Sequence, residues 1–286
     1  MNIFSNPKWL QQFQFSFNSF EEIPASVFQA VNKDLDRLQS DSPLVSIVIA
    51  AWNEEVNILH CIASLSKLKV TIPIEIIVIN NNSTDHTQQT LDQLHVKSFF
   101  QKIQGWGPAR QMGMEMAKGK YILVADADCF YPENWVNEMM NALQEKGVVC
   151  VYGRYAFISE PGYPRWKLFF LEQLKNMIAG LRHFKRPYLN AYGMSMGFIR
   201  DYGLRVGYVM HKIRGEDGRM CFDLMQYGKI KQVKASSACV WTRPRALQKD
   251  GGFSKALRSR VLKEIKRFSS MFVPHPPHDT KTSTND

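Results

Sequence analysis

From position 44 onward, short apolar runs rich in β-branched residues alternate with stretches of helical period, and this alternation constrains the fold more than any other feature of the sequence. Residues 45–51 read VSIVIAA and 75–79 read EIIVI. Between them, 54–68 sets Val56, Leu59, Ile62, Ala63 and Leu65 at helical spacing, and a second helical stretch runs to Leu94. Further strands are expected at 96–103, 121–125, 148–158, 192–198 and 229–233, the last followed by the segment 238–241. Continuous apolar runs suit strands buried on both faces, and their alternation with helices predicts an α/β fold with a mainly parallel twisted sheet flanked by helices. Ligands of open sheets bind beyond the carboxyl ends of the strands. Three polar clusters fall at such ends: WNEE at 52–55, NNNSTD at 80–85 and DAD at 126–128. Each alone is an ordinary turn or helix cap; on one rim they predict a site.

The run YILVADADCFYP at 121–132 delivers two carboxylates to that rim. On a straight strand Asp126 and Asp128 would stand about 6.5–7 Å apart, too far for one cation with oxygen ligands at about 2.0–2.6 Å. The chain must therefore bend there, or one carboxylate must act through water or on another part of the ligand. Unpaired carboxylates repel unless something positive lies between them, and a divalent metal on a phosphorylated ligand meets that need. The structural alternative is a solvated acidic turn. Cys129 beside the pair reads as a buried inert thiol in preference to a nucleophile.

The formal net charge of +10 suits an anionic partner: a nucleotide diphosphate, an anionic membrane surface or nucleic acid. The basic residues are dispersed and accompany no nucleic-acid-binding module, which disfavours the last. No run approaches 18 uninterrupted apolar residues and the N-terminus lacks signal-peptide regions, so a soluble or peripheral protein is expected. Five widely spaced cysteines without a C-x-x-C pair fit reduced thiols in a cytoplasmic compartment.

Residues 1–42 read as an N-terminal extension. Val27, Phe28, Val31, Leu35 and Leu38 mark one amphipathic helix docked on the core, and Phe13, Phe15, Phe17 and Phe20 alternate like a strand or an extended packing arm. The stretch GWGPAR at 105–110 has Arg110 where a dinucleotide fingerprint needs its third glycine, so that reading is rejected. It still begins a helix, and a helix N-terminus with Arg110 nearby can hold phosphate. The basic helix at 161–185 is too polar to span a bilayer and either packs on the domain or lies at a membrane interface. Glycines at 192–198 suit a strand where backbone approaches a ligand closely. Glu216 and Asp217 precede a helix, where acidic residues act as a cap worth about 1 kcal/mol. Residues 253–272 are expected to form a basic amphipathic helix and 273–286 a disordered tail, in which His275 and His278 read as solvated in preference to metal-bound.

In this order the elements resemble family 2 glycosyltransferases with the GT-A fold, the nucleotide-diphospho-sugar transferase type, over about 44–252. SIVIAAWNEE at 46–55, IIVINNNSTD at 76–85, GPARQMG at 107–113, the DAD motif and Glu216-Asp217 carry the resemblance. It implies a domain at 43–252, with a nucleotide-binding half (43–130) and an acceptor half (131–252). It also implies a nucleotide-sugar donor, a divalent Mn2+ or Mg2+ ion, and sugar transfer with inversion. Asp128 would coordinate the metal on the diphosphate and Asp126 would reach the ribose or the metal shell. Ala50, Asn53 and Glu54 would border the nucleoside. Asp217, supported by Glu216, would be the general base; a carboxylate must take the proton from an alcohol as it attacks.

Many relatives have aspartate at one or both positions held here by Asn80 and Asn81, whose amides donate and accept toward a base edge without charge. UDP is the default nucleotide. No Q-x-x-R-W motif accompanies residues 241–245, which argues for adding a single sugar instead of processive synthesis. Arg243 and Arg245 resemble basic residues after the last core strand of relatives, and one of them is expected at the diphosphate. The expected role is in cell-envelope or polysaccharide biosynthesis, on a glycan or lipid-linked acceptor, at the cytoplasmic face of the plasma membrane in peripheral contact with anionic lipid. The alternative is a non-catalytic GT-A-like module that binds nucleotide sugar or serves as a scaffold.

Overall fold

The computed structural model describes residues 3–210 and 215–249. Its strands, in chain order, are β1 (Val45–Ala51), β2 (Ile74–Asn80), β3 (Lys97–Phe100), β4 (Tyr121–Asp126), β5 (Cys129–Phe130), β6 (Val148–Tyr152), β7 (Tyr155–Phe157), β8 (Met196–Ile199), β9 (Lys229–Gln232) and β10 (Val240–Thr242). The longer helices are α1 (Ala25–Leu38), α2 (Asn57–Leu65), α3 (Thr87–Asp92), α4 (Trp106–Met116), α5 (Trp135–Leu143), α6 (Arg165–His183), α7 (Arg200–Val206), α8 (Glu216–Leu224) and α9 (Arg245–Lys249). The chain divides into two compact units, Met1–Arg243 and Pro244–Asp286. The expected boundary at 252, the helix 253–272 and the tail 273–286 lie outside the described residues.

Seven strands form the main sheet in the order β3-β2-β1-β4-β8-β6-β9. All pairings are parallel except those of β8, which runs against both β4 and β6. Every residue of β1 and β2 is buried, as continuous apolar runs require. Alternation along β1 sends Val45, Ile47, Ile49 and Ala51 into one core cluster, shared with α1, α2 and α5. Val48 and Ala50 enter the cluster on the opposite face, with residues of α4 and α8. Each of these valine and isoleucine side chains contributes about 1.5–3 kcal/mol by leaving water. A smaller sheet, β5-β10-β7, has β10 antiparallel to β5 and parallel to β7.

Several expected elements changed form for identifiable reasons. The run 148–158 is two strands in two sheets: the Gly153 N–H donates to the Ser195 carbonyl at 2.8 Å, and a Cβ at 153 would meet Ser195 Oγ at 2.2 Å, so the chain leaves the main sheet there. The run 192–198 begins as a 3-10 turn, Gly193–Ser195, before β8. The run 96–103 is strand only over β3, because Gln101 turns back to accept the Ile103 N–H through its side chain. Phe15 and Phe17 form a packing arm, not a strand; their rings stack at 5.8 Å and lie against the core between two 3-10 turns. α1 docks as expected, with Asn32 bonded to the Gln93 carbonyl and the His95 N–H at 2.8 Å each.

Candidate active site

The parallel register ends three strands level with one another. Ala51 lies opposite Asn80, and Ala50 opposite Asp126. Beyond them the loops after β1 and β2 are laced together. Asn53 adopts the left-handed conformation (φ 53°), receives the Thr84 N–H at 2.8 Å on its side chain and donates its own N–H to Ser83 Oγ at 3.0 Å. The Glu54 N–H reaches Thr87 Oγ1 at 2.9 Å. Asn80 and Asn81 are buried, and their amides serve the protein itself. Asn80 Nδ2 donates to Gln88 Oε1 at 2.9 Å, whereas Asn81 Oδ1 accepts the Gly105 N–H at 2.9 Å and so ties the rim to the residue preceding α4.

Arg110, on the second turn of α4, is buried. Its Nη1 donates to Glu216 Oε1 at 2.6 Å and Asp217 Oδ1 at 2.7 Å; its Nη2 donates to Asp126 Oδ1 at 3.0 Å. The guanidinium expected near a phosphate thus holds three carboxylates, and through it α8 meets the end of β4. Burial pulls the Arg110 pKa down, but the carboxylates outweigh that and hold it above its usual value. One guanidinium cannot balance three carboxylates, of which Glu216 and Asp217 are buried and Asp126 partly so. Accordingly Asp217 is pushed up to about 7, first by burial and then by Glu216 and Asp126, with Arg110 and the Gly193 N–H pulling the other way. Burial and Asp128 also raise Asp126, against the pull of Arg110.

Two further residues, Gly193 and Tyr131, complete this arrangement. The Gly193 N–H donates to Asp217 Oδ2 at 2.7 Å, and a Cβ at 193 would meet Arg110 Nη2 at 1.9 Å; only glycine allows that approach. The glycines at 192–198 do admit close backbone approach, but to the carboxylate–arginine cluster. Tyr131 accepts the Asp126 N–H at 2.8 Å on its hydroxyl and donates to the Met194 carbonyl at 3.0 Å, which joins the end of β4 to the 193–195 turn. Its place within an apolar run masked this polar duty.

The chain bends between Asp126 and Asp128: β4 ends at Asp126 and β5 begins at Cys129. Ligand atoms of Asp126, Asp128 and Cys129 lie within 4.8 Å of one another. Of these donors, the two carboxylates suit a hard divalent cation. The Cys129 thiol does not: burial, then Asp128 and Asp126, push its pKa well above the usual thiol value, and its Sγ lies 3.6 Å from Asp128 Oδ1 as a donor. The residues therefore fit a Mn2+ or Mg2+ ion held by oxygen.

Arg243 follows Thr242, the partner of Cys129 in the small sheet, and its Nη1 bonds Glu160 Oε1 at 3.1 Å. Arg245 begins α9 in the second unit.

Against known proteins, residues 46–203 match the family described as Glycosyl transferase family 2. Chondroitin synthase of Escherichia coli is 25% identical over 210 residues, 67% of this chain and 30% of that protein. Glycosyltransferase GlyG of Streptococcus pneumoniae serotype 4 is 31% identical over 121 residues, 40% of this chain and 40% of that protein. The chain thus spans less than half the length of both relatives. Among solved structures, the mannosyltransferase PcManGT of Pyrobaculum calidifontis, in complex with GDP-Man and Mn2+, superposes with a TM-score of 0.55 at 15% identity, covering 88% of this chain and 74% of that one. TarS 1-349 of S. aureus in complex with UDP-GlcNAc gives 0.53 at 15% identity, covering 70% of this chain and 58% of that one. At these identities the likeness is one of fold, and the fold is GT-A.

Proposed function

Because the chain belongs to glycosyl transferase family 2, we propose that it moves a single sugar from a nucleotide-sugar donor, by default a UDP-sugar, to a hydroxyl of a glycan or lipid-linked acceptor, with inversion at the anomeric carbon. The observation that carries this reading is the meeting of Asp126, Glu216 and Asp217 on one buried guanidinium, from segments far apart in sequence. Asp217 takes the proton of the acceptor hydroxyl as its oxygen bonds to the anomeric carbon, and the bond from that carbon to the diphosphate breaks. A carboxylate that ionises near pH 7 is a stronger base than an ordinary aspartate and is matched to neutral conditions. Glu216 supports it by sharing the same guanidinium nitrogen, and Arg110 with the Gly193 N–H fixes its direction.

Asp128 and Asp126 are the residues that would hold Mn2+ or Mg2+, which when bound supplies positive charge to the departing diphosphate. Structural neighbours crystallised with Mn2+ support that choice of ion. Ala50, Asn53, Glu54, Asn80 and Asn81 border the nucleoside in this reading, and Arg243 stands on the diphosphate side, whereas the Arg110 guanidinium is engaged by Asp126, Glu216 and Asp217. The acceptor belongs to cell-envelope or polysaccharide synthesis, and the protein works in the cytoplasm in peripheral contact with an anionic membrane, where lipid-linked acceptors reside. No described helix is long and apolar enough to cross a membrane.

Incubation with a panel of nucleotide sugars and Mn2+ or Mg2+ tests the reading. Slow donor hydrolysis without acceptor, lost in Asp128→Ala, is the expected outcome. Absence of any donor binding or hydrolysis, with Asp128→Ala indistinguishable from the parent, overturns it; tight donor binding by calorimetry with no turnover favours a non-catalytic binding module.

A further inference from the structure

α6 carries two apolar faces. One lies inside the protein: Leu168 and Leu171 are buried, and the buried Arg165 and Glu172 pair at 2.7 Å. The other faces solvent, with Trp166 46%, Phe170 63%, Met177 61%, Leu181 52% and the terminal Phe184 88% exposed. At 3.6 residues per turn these five fall within an arc of about 60°, along about 27 Å of helix. Gln173 alone interrupts that line with a polar side chain. The sequence posed packing and interfacial binding as alternatives for this segment; the two faces of α6 permit both at once. Between 165 and 186 there are six lysines and arginines and one acid, Glu172; Arg165, paired with Glu172, and Arg182 are buried, whereas Lys167, Lys175, Lys185 and Arg186 are at least partly exposed.

We infer that the Trp166–Phe184 stripe is a docking face for an anionic bilayer, with α6 lying along the surface and its large apolar side chains entering the headgroup boundary. Tryptophan and phenylalanine with leucine on one face, and basic residues beside them, match the chemistry of interfacial helices. Charge complementarity selects the occupant. An anionic lipid surface attracts the positive charge of Lys167, Lys175, Lys185 and Arg186, whereas a second copy of this chain would bring two basic faces together. The assignment rests on the membrane contact proposed above for reaching the acceptor, but its test does not depend on sugar transfer.

The full chain is mixed with vesicles of phosphatidylcholine, with and without phosphatidylglycerol. Co-sedimentation with the anionic vesicles alone is expected, weakening as salt rises. Joint Phe170→Ser and Phe184→Ser substitution lowers the partition coefficient about tenfold or more. Lys185→Gln with Arg186→Gln does the same at low salt, at about fivefold per charge. In the unsubstituted chain, tryptophan emission shifts to the blue on anionic vesicles, and Trp166→Phe abolishes the shift; this arm needs no serine variant to fold. Failure of the full chain to sediment, serine variants that bind as the parent does, or an emission shift that survives Trp166→Phe overturns the inference. So does a change of oligomeric state in lipid-free serine variants, which would assign the stripe to a second copy. Vesicle binding without donor hydrolysis would leave the docking face standing and remove the transferase reading; hydrolysis without vesicle binding would do the reverse.

Discussion

Nη1 of Arg110 lies 2.7 Å from Oδ1 of Asp217, across 107 positions of sequence. The contact joins α4, which follows the third strand, to α8, which comes after the main sheet has lost its parallel regularity. It makes the electrostatics of the candidate base inseparable from those of the β4 terminus, where Asp126 shares the guanidinium.

Asp217→Asn removes the proton acceptor and keeps the shape of the side chain. Turnover is expected to fall by about 100-fold or more, in line with general-base contributions, while the donor dissociation constant changes less than about threefold. Calorimetry beside a transfer assay separates the two; equal loss of binding and turnover would refute the assignment.

The pH dependence has a definite sign. Asp217 ionises near 7 in the folded protein against about 3.9 in an unfolded chain. Transfer measured as kcat/KM should rise with unit slope to about pH 7 and level off above. The folded state retains a proton between about pH 4 and 7 that the unfolded state has released, so this group's stabilisation is full below about pH 4 and is lost as pH climbs through 7. A rate profile centred near pH 4 would contradict the raised value.

Arg110→Met leaves three carboxylates facing one another. Removing one partner of a buried ionic group costs about 3–5 kcal/mol, and urea denaturation should show that loss at pH 8 and a smaller one at pH 5, where a carboxylate can take up a proton. Since Arg110 lowers the pKa of Asp217, the acidic limb of the rate profile should move to higher pH in any residual activity.

Manganese binding, followed by electron paramagnetic resonance, should weaken at least about tenfold in Asp128→Ala, because oxygen ligands dominate the affinity of hard cations. Cys129→Ser should leave it unchanged, since the buried thiol stays protonated. A matching loss in the serine variant would make the thiol a ligand.

Gly193→Ala sets a Cβ 1.9 Å from Arg110 Nη2 and 2.4 Å from its Cζ, while the residue's own N–H is held by Asp217. Overpacking of this kind costs about 1–3 kcal/mol. A fall in kcat larger than any change in the donor KM is expected, because the displaced atoms orient the base.

Much of the sheet was legible because burial on both faces leaves a nearly continuous apolar run, as in 45–51, 75–79 and 121–125. The level strand ends followed from parallel pairing. The junction at Gly153 was not legible: its glycine is demanded by Ser195, 42 positions downstream, and local pattern holds no trace of such a contact. The roles of Asn80 and Asn81 were obscured likewise, because an amide able to read a base edge is equally able to tie Gly105 to the rim. The carboxylates at 126, 216 and 217 stood out by position, but the partner that unites them did not. Arg110 resembled a phosphate ligand because a helix start says nothing about which anion will reach it.

The small sheet has a consequence for how the protein is made. Among the described residues, β5, immediately after Asp128, has β10, at residues 240–242, as its one strand neighbour. A nascent chain halted upstream of Val240 would carry β5 without this partner beside its acidic loop. Maturation of this corner therefore waits on nearly the last residues of the first unit to leave the ribosome, however early the large sheet begins to assemble.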